Sequence, residues 1–195
     1  MTPNPILKVL STFKKHNVQC LLIGGQPCHF RCHNKDVENL RVDVLSILRG
    51  CDPFDQLWKR KNTVSLKSGE IINVISLRDL VQSKKTQRDK DWFMLKRLVD
   101  NDIFLHKKNP SKDHLNWWFK ECRNLEILIK LVNQYPDAAQ KSVKDRPLLM
   151  AAIQSKREKL KEKFEQEENL ERQKDREYWA PLKKELESLR HQYHK

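Results

Sequence analysis

Four cations occupy seven consecutive positions: Lys84, Lys85, Arg88 and Lys90, in the run Lys-Lys-Thr-Gln-Arg-Asp-Lys. A cluster of that density suits a polyanion, and the phosphates of a nucleotide or a nucleic acid are the natural candidates. The plain alternative is a solvated loop between two helices. Gly24-Gly25 closes an apolar run. A glycine pair at a strand end lets the backbone approach a phosphate and can open a helix N-terminus as an anion site, although many such pairs only turn the chain. Carboxylates follow at Asp36, Glu38 and Asp43. A magnesium site needs carboxylates that converge, usually with phosphates. Asp36 belongs to the Asn34-Lys35-Asp36 turn, so Asp36 and Glu38 read as turn and surface residues. Asp43 reads as a lone strand carboxylate, satisfied by Arg41 or a lysine, unless two companions join it. Cys28-His29 and Cys32-His33 imitate zinc spacing, but a strand throws neighbours to opposite faces, so small buried cysteines are the better account. Trp92, Trp117 and Trp118 could stack bases. Their helical spacing with Phe93, Leu95 and Phe119 predicts core packing instead. No P-loop, Rossmann fingerprint or nucleophile arrangement stands out.

The elements that must hold these residues follow from periodicity. Apolar residues at helical spacing (Ile6, Val9, Leu10, Phe13) predict a helix over residues 5–16, ended by Asn17. Residues 18–23 read as a buried strand. Residues 28–33 and 40–48 alternate and predict a hairpin. Asp52 and Pro53 start a short helix, with Asp52 as cap. Residues 63–66 and 71–75 flank the turn Lys67-Ser68-Gly69-Glu70 and predict a second hairpin. Ser76 then caps a helix. Further helices are predicted over 77–84, 90–101, 114–122 and 125–134, with Asn109-Pro110-Ser111 and Tyr135-Pro136-Asp137 as punctuation. Residues 147–195 read as one or two long helices interrupted by Pro181, with Leu182, Leu186, Leu189 and Tyr193 forming an apolar stripe beyond it. That stripe offers a protein partner a short coiled-coil contact, or simply projects into solvent.

The 195 residues carry 39 Lys and Arg against 26 Asp and Glu, a net charge of +13. Residues 154–195 hold 12 basic and 10 acidic side chains, so residues 1–153 hold 27 and 16, a difference of +11. The basic surface therefore belongs to the globular part. Five cysteines at irregular spacing and the absence of a long apolar run predict a cytoplasmic, reduced protein that does not span a membrane.

Four segments resemble a family. Leu21-Leu-Ile-Gly-Gly-Gln, Arg41-Val-Asp-Val-Leu-Ser, Gly50-Cys-Asp-Pro-Phe-Asp-Gln-Leu-Trp and the segment from Ser76 to Asp91 are similar to bacterial uncharacterised nucleotidyltransferase-like proteins of the polymerase-beta type, related to antitoxin and abortive-infection proteins. The resemblance covers residues 21–98, with a looser helical continuation to about 135. It implies an α+β fold: a small mixed or antiparallel sheet with helices on one side, followed by a helical C-terminal region. The implied layout is a nucleotidyltransferase-like core over 1–106, a helical extension over 107–153 and a charged helical tail over 154–195. It casts Asp43 as the third catalytic, metal-binding carboxylate, Gly24 and Gly25 as the phosphate-facing pair, and Lys84, Lys85, Arg88 and Lys90 as nucleotide-facing cations. Such a site works through two metal ions, which activate a hydroxyl and stabilise the leaving pyrophosphate. The chain departs from the family at one place. A helix and a strand bearing Asp-x-Asp or Asp-x-Glu belong after Gly-Gly, and here Gln26-Pro27 joins the flanking segments directly. The expectation is thus a catalytically impaired relative, a pseudoenzyme with a basic cleft. The alternatives are a non-enzymatic nucleic-acid-binding or antitoxin-like module, and an active enzyme transferring a nucleoside monophosphate from a triphosphate with Mg²⁺.

Overall fold

The computed structural model describes residues 5–23, 47–66 and 69–193. Contacts divide the chain into two compact units, Met1–Ser83 and Lys84–Lys195. Among the described residues the protein is a mixture of helix and sheet with a helical C-terminal region.

The first unit opens with helix α1, Pro5–Lys15. Asn17 ends it in the left-handed region at φ 54°. The Val18 amide reaches back to the Phe13 carbonyl at 2.8 Å and the Asn17 amide to Lys14 at 3.1 Å, which satisfies carbonyls the last turn would leave orphaned. Strands β1, Asn62–Ser65, and β2, Ile71–Val74, form the expected antiparallel hairpin, with Asn62 opposite Val74 and Ser65 opposite Ile71. Gly69 makes the reversal at φ 89°, a conformation that suits glycine. Residues 18–23, expected as a strand, contribute an isolated parallel bridge between Leu22 and Val74. The expected hairpin over 28–33 and 40–48 falls outside the described residues, apart from its end.

Helix α2, Phe54–Lys59, follows Pro53, which takes the cap position without a side-chain bond. Asp52 is therefore not the cap: its carboxylate accepts from Arg60 Nη2 at 2.7 Å. The same guanidinium grips Asp79 with two bonds of 2.7 Å. Ser76 caps helix α3, Leu77–Ser83, as its position suggests, accepting from the Asp79 amide at 3.2 Å. Burial alone would raise the Asp79 pKa, but Arg60 and the Ser76 hydroxyl outweigh it and hold the carboxyl below its ordinary value.

The second unit is helical: α4 Asp89–His106, α5 Lys112–Glu121, α6 Leu125–Gln134, α7 Pro136–Ser142, α8 Leu149–Ile153 and α9 Arg157–Tyr193. Its core is continuous from Leu95 and Val99 of α4 through Trp118 and Phe119 of α5 and Leu128 of α6 to Leu149 and Leu160, all fully buried. The triplet Tyr135-Pro136-Asp137, expected to be punctuation, starts α7, with Pro136 in the first turn where its missing amide costs nothing. Pro181 does not interrupt α9, which runs through it. Ser111 caps α5 in a reciprocal box with His114, an imidazole taking the place usually held by Glu or Gln.

Buried charge ties α9 to this core. Arg146 donates to the Phe119 and Cys122 carbonyls at 3.0 and 2.8 Å, closing the C-terminal end of α5, and forks onto Glu167 of α9 at 3.0 and 2.7 Å. Farther along, Arg172 donates to the Gln87 carbonyl at 2.7 Å and Asp175 accepts from the Gln87 amide at 3.0 Å. The Arg123 and Arg172 guanidiniums both lie over the Trp92 ring, 5.4 and 5.7 Å from its centroid. Cys20, Cys51 and Cys122 are free thiols. Burial pushes the Cys122 thiol up to about 12.

Candidate nucleic-acid interface

The four cations of residues 84–90 do not act together. Lys84 Nζ lies 3.3 Å from Asp91 Oδ1, and Arg88 donates through Nε to Asp91 Oδ2 at 2.7 Å. Thr86 adds its hydroxyl to the same oxygen at 2.7 Å. Asp91 stands in the first turn of α4, where the helix dipole also favours a negative charge. Its burial would raise the pKa; the Thr86 bond and the Lys84 and Arg88 charges prevail and hold it down. Lys85 turns elsewhere, to Glu121 at the end of α5, at 2.8 Å, with both side chains buried. Burial lowers the Lys85 pKa, and Glu121 opposes that. Only Lys90, on α4, faces solvent outright among the expected lysines. Gly24, Gly25, Asp36, Glu38 and Asp43 fall outside the described residues, as do Cys28, His29, Cys32 and His33.

Trp92, Trp117 and Trp118 are buried, as their spacing indicates. Phe93 is not: it is 64% exposed, and Phe104 on the same helix is 65% exposed. Helical register explains the difference. Trp92, Leu95, Val99 and Ile103 form the inward row, whereas Phe93 lies about 100° around the axis from Trp92. Lys90, Phe93, Arg97, Asn101 and Phe104 are spaced by three or four residues, so they share the outward row, and all are exposed. Lys96, Lys107 and Lys108 are exposed beside it.

Each exposed ring has a cation beside it. Arg97 lies 5.6 Å from the Phe93 centroid, and the Lys107 ammonium 4.3 Å from that of Phe104. The helical rise separates the two rings by roughly 16 Å along the axis, a span of a few nucleotides. Carboxylates on α4 do not neutralise this row. Asp91 and Asp102 are buried, Asp100 is half-buried and accepts from Asn124 at 2.9 Å, and Asp89 pairs with Arg172 at 2.8 Å. Paired rings and cations are what an unstacked strand requires, with bases on the rings and phosphates on the cations. The signal lay in the sequence: the inward row is complete without Phe93, and Lys90, Arg97 and Phe104 recur on its own row.

One cluster has metal-ligand chemistry. Asp102, His106 and His114 bring ligand atoms within 4.8 Å of one another. The His106 and His114 rings stack at 4.5 Å with 24° between their planes, and His114 stacks in turn on Trp118. A metal lies in the plane of each imidazole it binds, at about 2.0–2.1 Å, and stacked near-parallel rings share no such point. His114 Nδ1 also accepts the Ser111 amide at 3.3 Å, and Asp102 Oδ2 accepts the Trp118 indole at 2.7 Å. The cluster is a packed polar lattice between α4 and α5.

No family model, no curated protein and no solved structure matches this chain.

Proposed function

We propose that this protein is a non-enzymatic binding module for single-stranded nucleic acid, with the outward face of α4 as its contact surface. The observation that carries this reading is the row of Phe93 and Phe104, both about two-thirds exposed, each beside a cation and set among Lys90, Lys96 and Arg97. Phosphate attraction supplies affinity without sequence preference, and base stacking on a ring contributes roughly 1–3 kcal/mol per base. The net charge of +13 favours the encounter.

The test is fluorescence anisotropy of a labelled mixed-sequence RNA oligonucleotide. The intact chain binds at low salt and loses affinity steeply as salt rises. Phe93→Ala and Phe104→Ala each weaken binding about 5- to 150-fold, the equivalent of one lost stack. Arg97→Ala lowers the salt slope by about one. All three leave the melting temperature nearly unchanged, because exposed positions cost within about 0.5 kcal/mol. No binding at low salt, equal preference for duplex, transfer of binding to anionic vesicles instead of RNA, or indifference to all three substitutions overturns the proposal.

A second reading keeps the nucleotidyltransferase-like fold. The parallel bridge at Leu22–Val74 favours it, because it places the chain leading to Gly24-Gly25 beside β2, whose end leads to the Ser76 cap. In that reading Asp43 binds Mg²⁺ and a nucleoside triphosphate is the substrate or bound ligand. Labelling of a protein or RNA by a labelled triphosphate, abolished by Asp43→Ala, supports it; labelling indifferent to that change removes Asp43 from the reaction.

A further inference from the structure

The inward row of α9 does not stop where the rest of the second unit stops. Leu160 is fully buried, Glu167 meets Arg146, and Arg172 and Asp175 meet Gln87. Beyond Asp175 the helix continues to Tyr193, and every residue from 176 to 191 is exposed except the partly covered Trp179. Its character changes at the same point. The row leaves ion pairs behind and becomes Trp179, Leu182, Leu186 and Leu189, with Tyr193 next in register. The three leucines are 40–45% exposed. Steps of three, four, three and four residues mark alternate a and d positions of a heptad, two heptads long.

We propose that this segment pairs with the same segment of a second copy of the chain, as a short parallel two-stranded coiled coil. Charge selects both the partner and its direction. With Leu182 and Leu189 at d, the e positions are Arg176, Lys183 and Arg190, all basic, and Glu185 is the acidic g residue between them. In a parallel pair Glu185 of each chain faces Arg190 of the other, twice by symmetry, and Tyr178 faces Lys183. In an antiparallel pair e faces e, which sets lysine and arginine against arginine. Pro181 falls at c, on the outer side of the seam, where its ring meets no partner. A two-heptad seam buries on the order of 1,000 Å² in all, which belongs to the low end of interface sizes, so the dimer is expected to dissociate on dilution. Pairing in this direction places both copies of α4 at one end of the seam, so that two contact surfaces engage one strand together and gain from effective concentration. The pairing itself stands whether or not α4 binds nucleic acid.

Sedimentation velocity of the intact chain, from about 1 to 500 µM, tests this. The expected result is a monomer–dimer equilibrium. Leu186→Glu, at an exposed site that cannot unfold the core, abolishes the dimer and leaves the monomer's circular dichroism unchanged. Glu185→Lys and Arg190→Glu each weaken dimerisation at least about tenfold, and the double exchange restores it. A monomer at every concentration overturns the proposal, as does a dimer indifferent to Leu186→Glu. Tighter association in Arg190→Glu alone also overturns it, since relief of e–e repulsion marks an antiparallel seam.

Discussion

Asp91 gathers three donors, as Lys84, Thr86 and Arg88 all reach it. Its pKa in the folded chain lies below its unfolded value of about 3.9. A depressed carboxylate adds stability above the unfolded pKa, and that stability is lost as pH falls through the folded one. Asp91→Asn is therefore expected to lower the melting temperature at pH 7 and to flatten the decline as pH falls below about 4. Thermal melts across that range check this, and an acid slope identical to that of the unaltered chain refutes it. The Asp91 cluster was partly legible from sequence, because Lys84 and Arg88 lie seven and three positions before it. The partner of Lys85 was not: Glu121 is 36 positions away, and only the packing of α5 brings it near. A run of like charges therefore says little about availability until its counter-ions are located.

At the scale of the element, α4 is a helix whose two rows were separable by periodicity alone. Trp92, Leu95, Val99 and Ile103 make a full apolar row, and Phe93 with Phe104 makes a second, incomplete one interleaved with cations. Aromatic type suggested core; angular position decided otherwise. The boundary errors have similar local causes. In sequence Pro136 reads as a break although it fits a first turn, and Pro181 reads as a break although α9 continues through it. The Ser76 cap and the β1–β2 hairpin were legible because both are set by residues within a few positions of each other. The hold of α9 on α5 was not, since Arg146 acts across 21 positions to Glu167 and across 27 to the Phe119 carbonyl. Arg146→Ala leaves Glu167 partly buried with only the more distant Arg123 at 3.8 Å and orphans the last carbonyls of α5. Breaking a buried pair in this way costs about 3–5 kcal/mol, measurable by urea unfolding. A loss under 1 kcal/mol would show that the clamp contributes little.

For the whole molecule, charge is distributed by role. Within the second unit Lys85, Arg123 and Arg146 are buried against carboxylates, while Lys90, Lys96, Lys107 and Lys108 stay in solvent. Net charge states the likelihood of a polyanionic partner only after the first group is set aside. No described helix is long and apolar enough to cross a membrane. The clamp at Arg146 has a consequence for synthesis on the ribosome. Arg146 emerges before Glu167, and Gln87 long before Arg172 and Asp175, so the second unit is translated with the Arg146 charge and the Gln87 backbone groups still waiting for their partners. Its helices can form as they leave the exit tunnel, but native packing must wait for about the first half of α9. A stalled nascent chain that has emerged only to residue 160 should remain protease-sensitive, whereas one that has emerged through residue 177 should resist, since by then Glu167, Arg172 and Asp175 can reach Arg146 and Gln87. Pulse proteolysis of stalled chains of the two lengths distinguishes this order from one in which the earlier helices settle first.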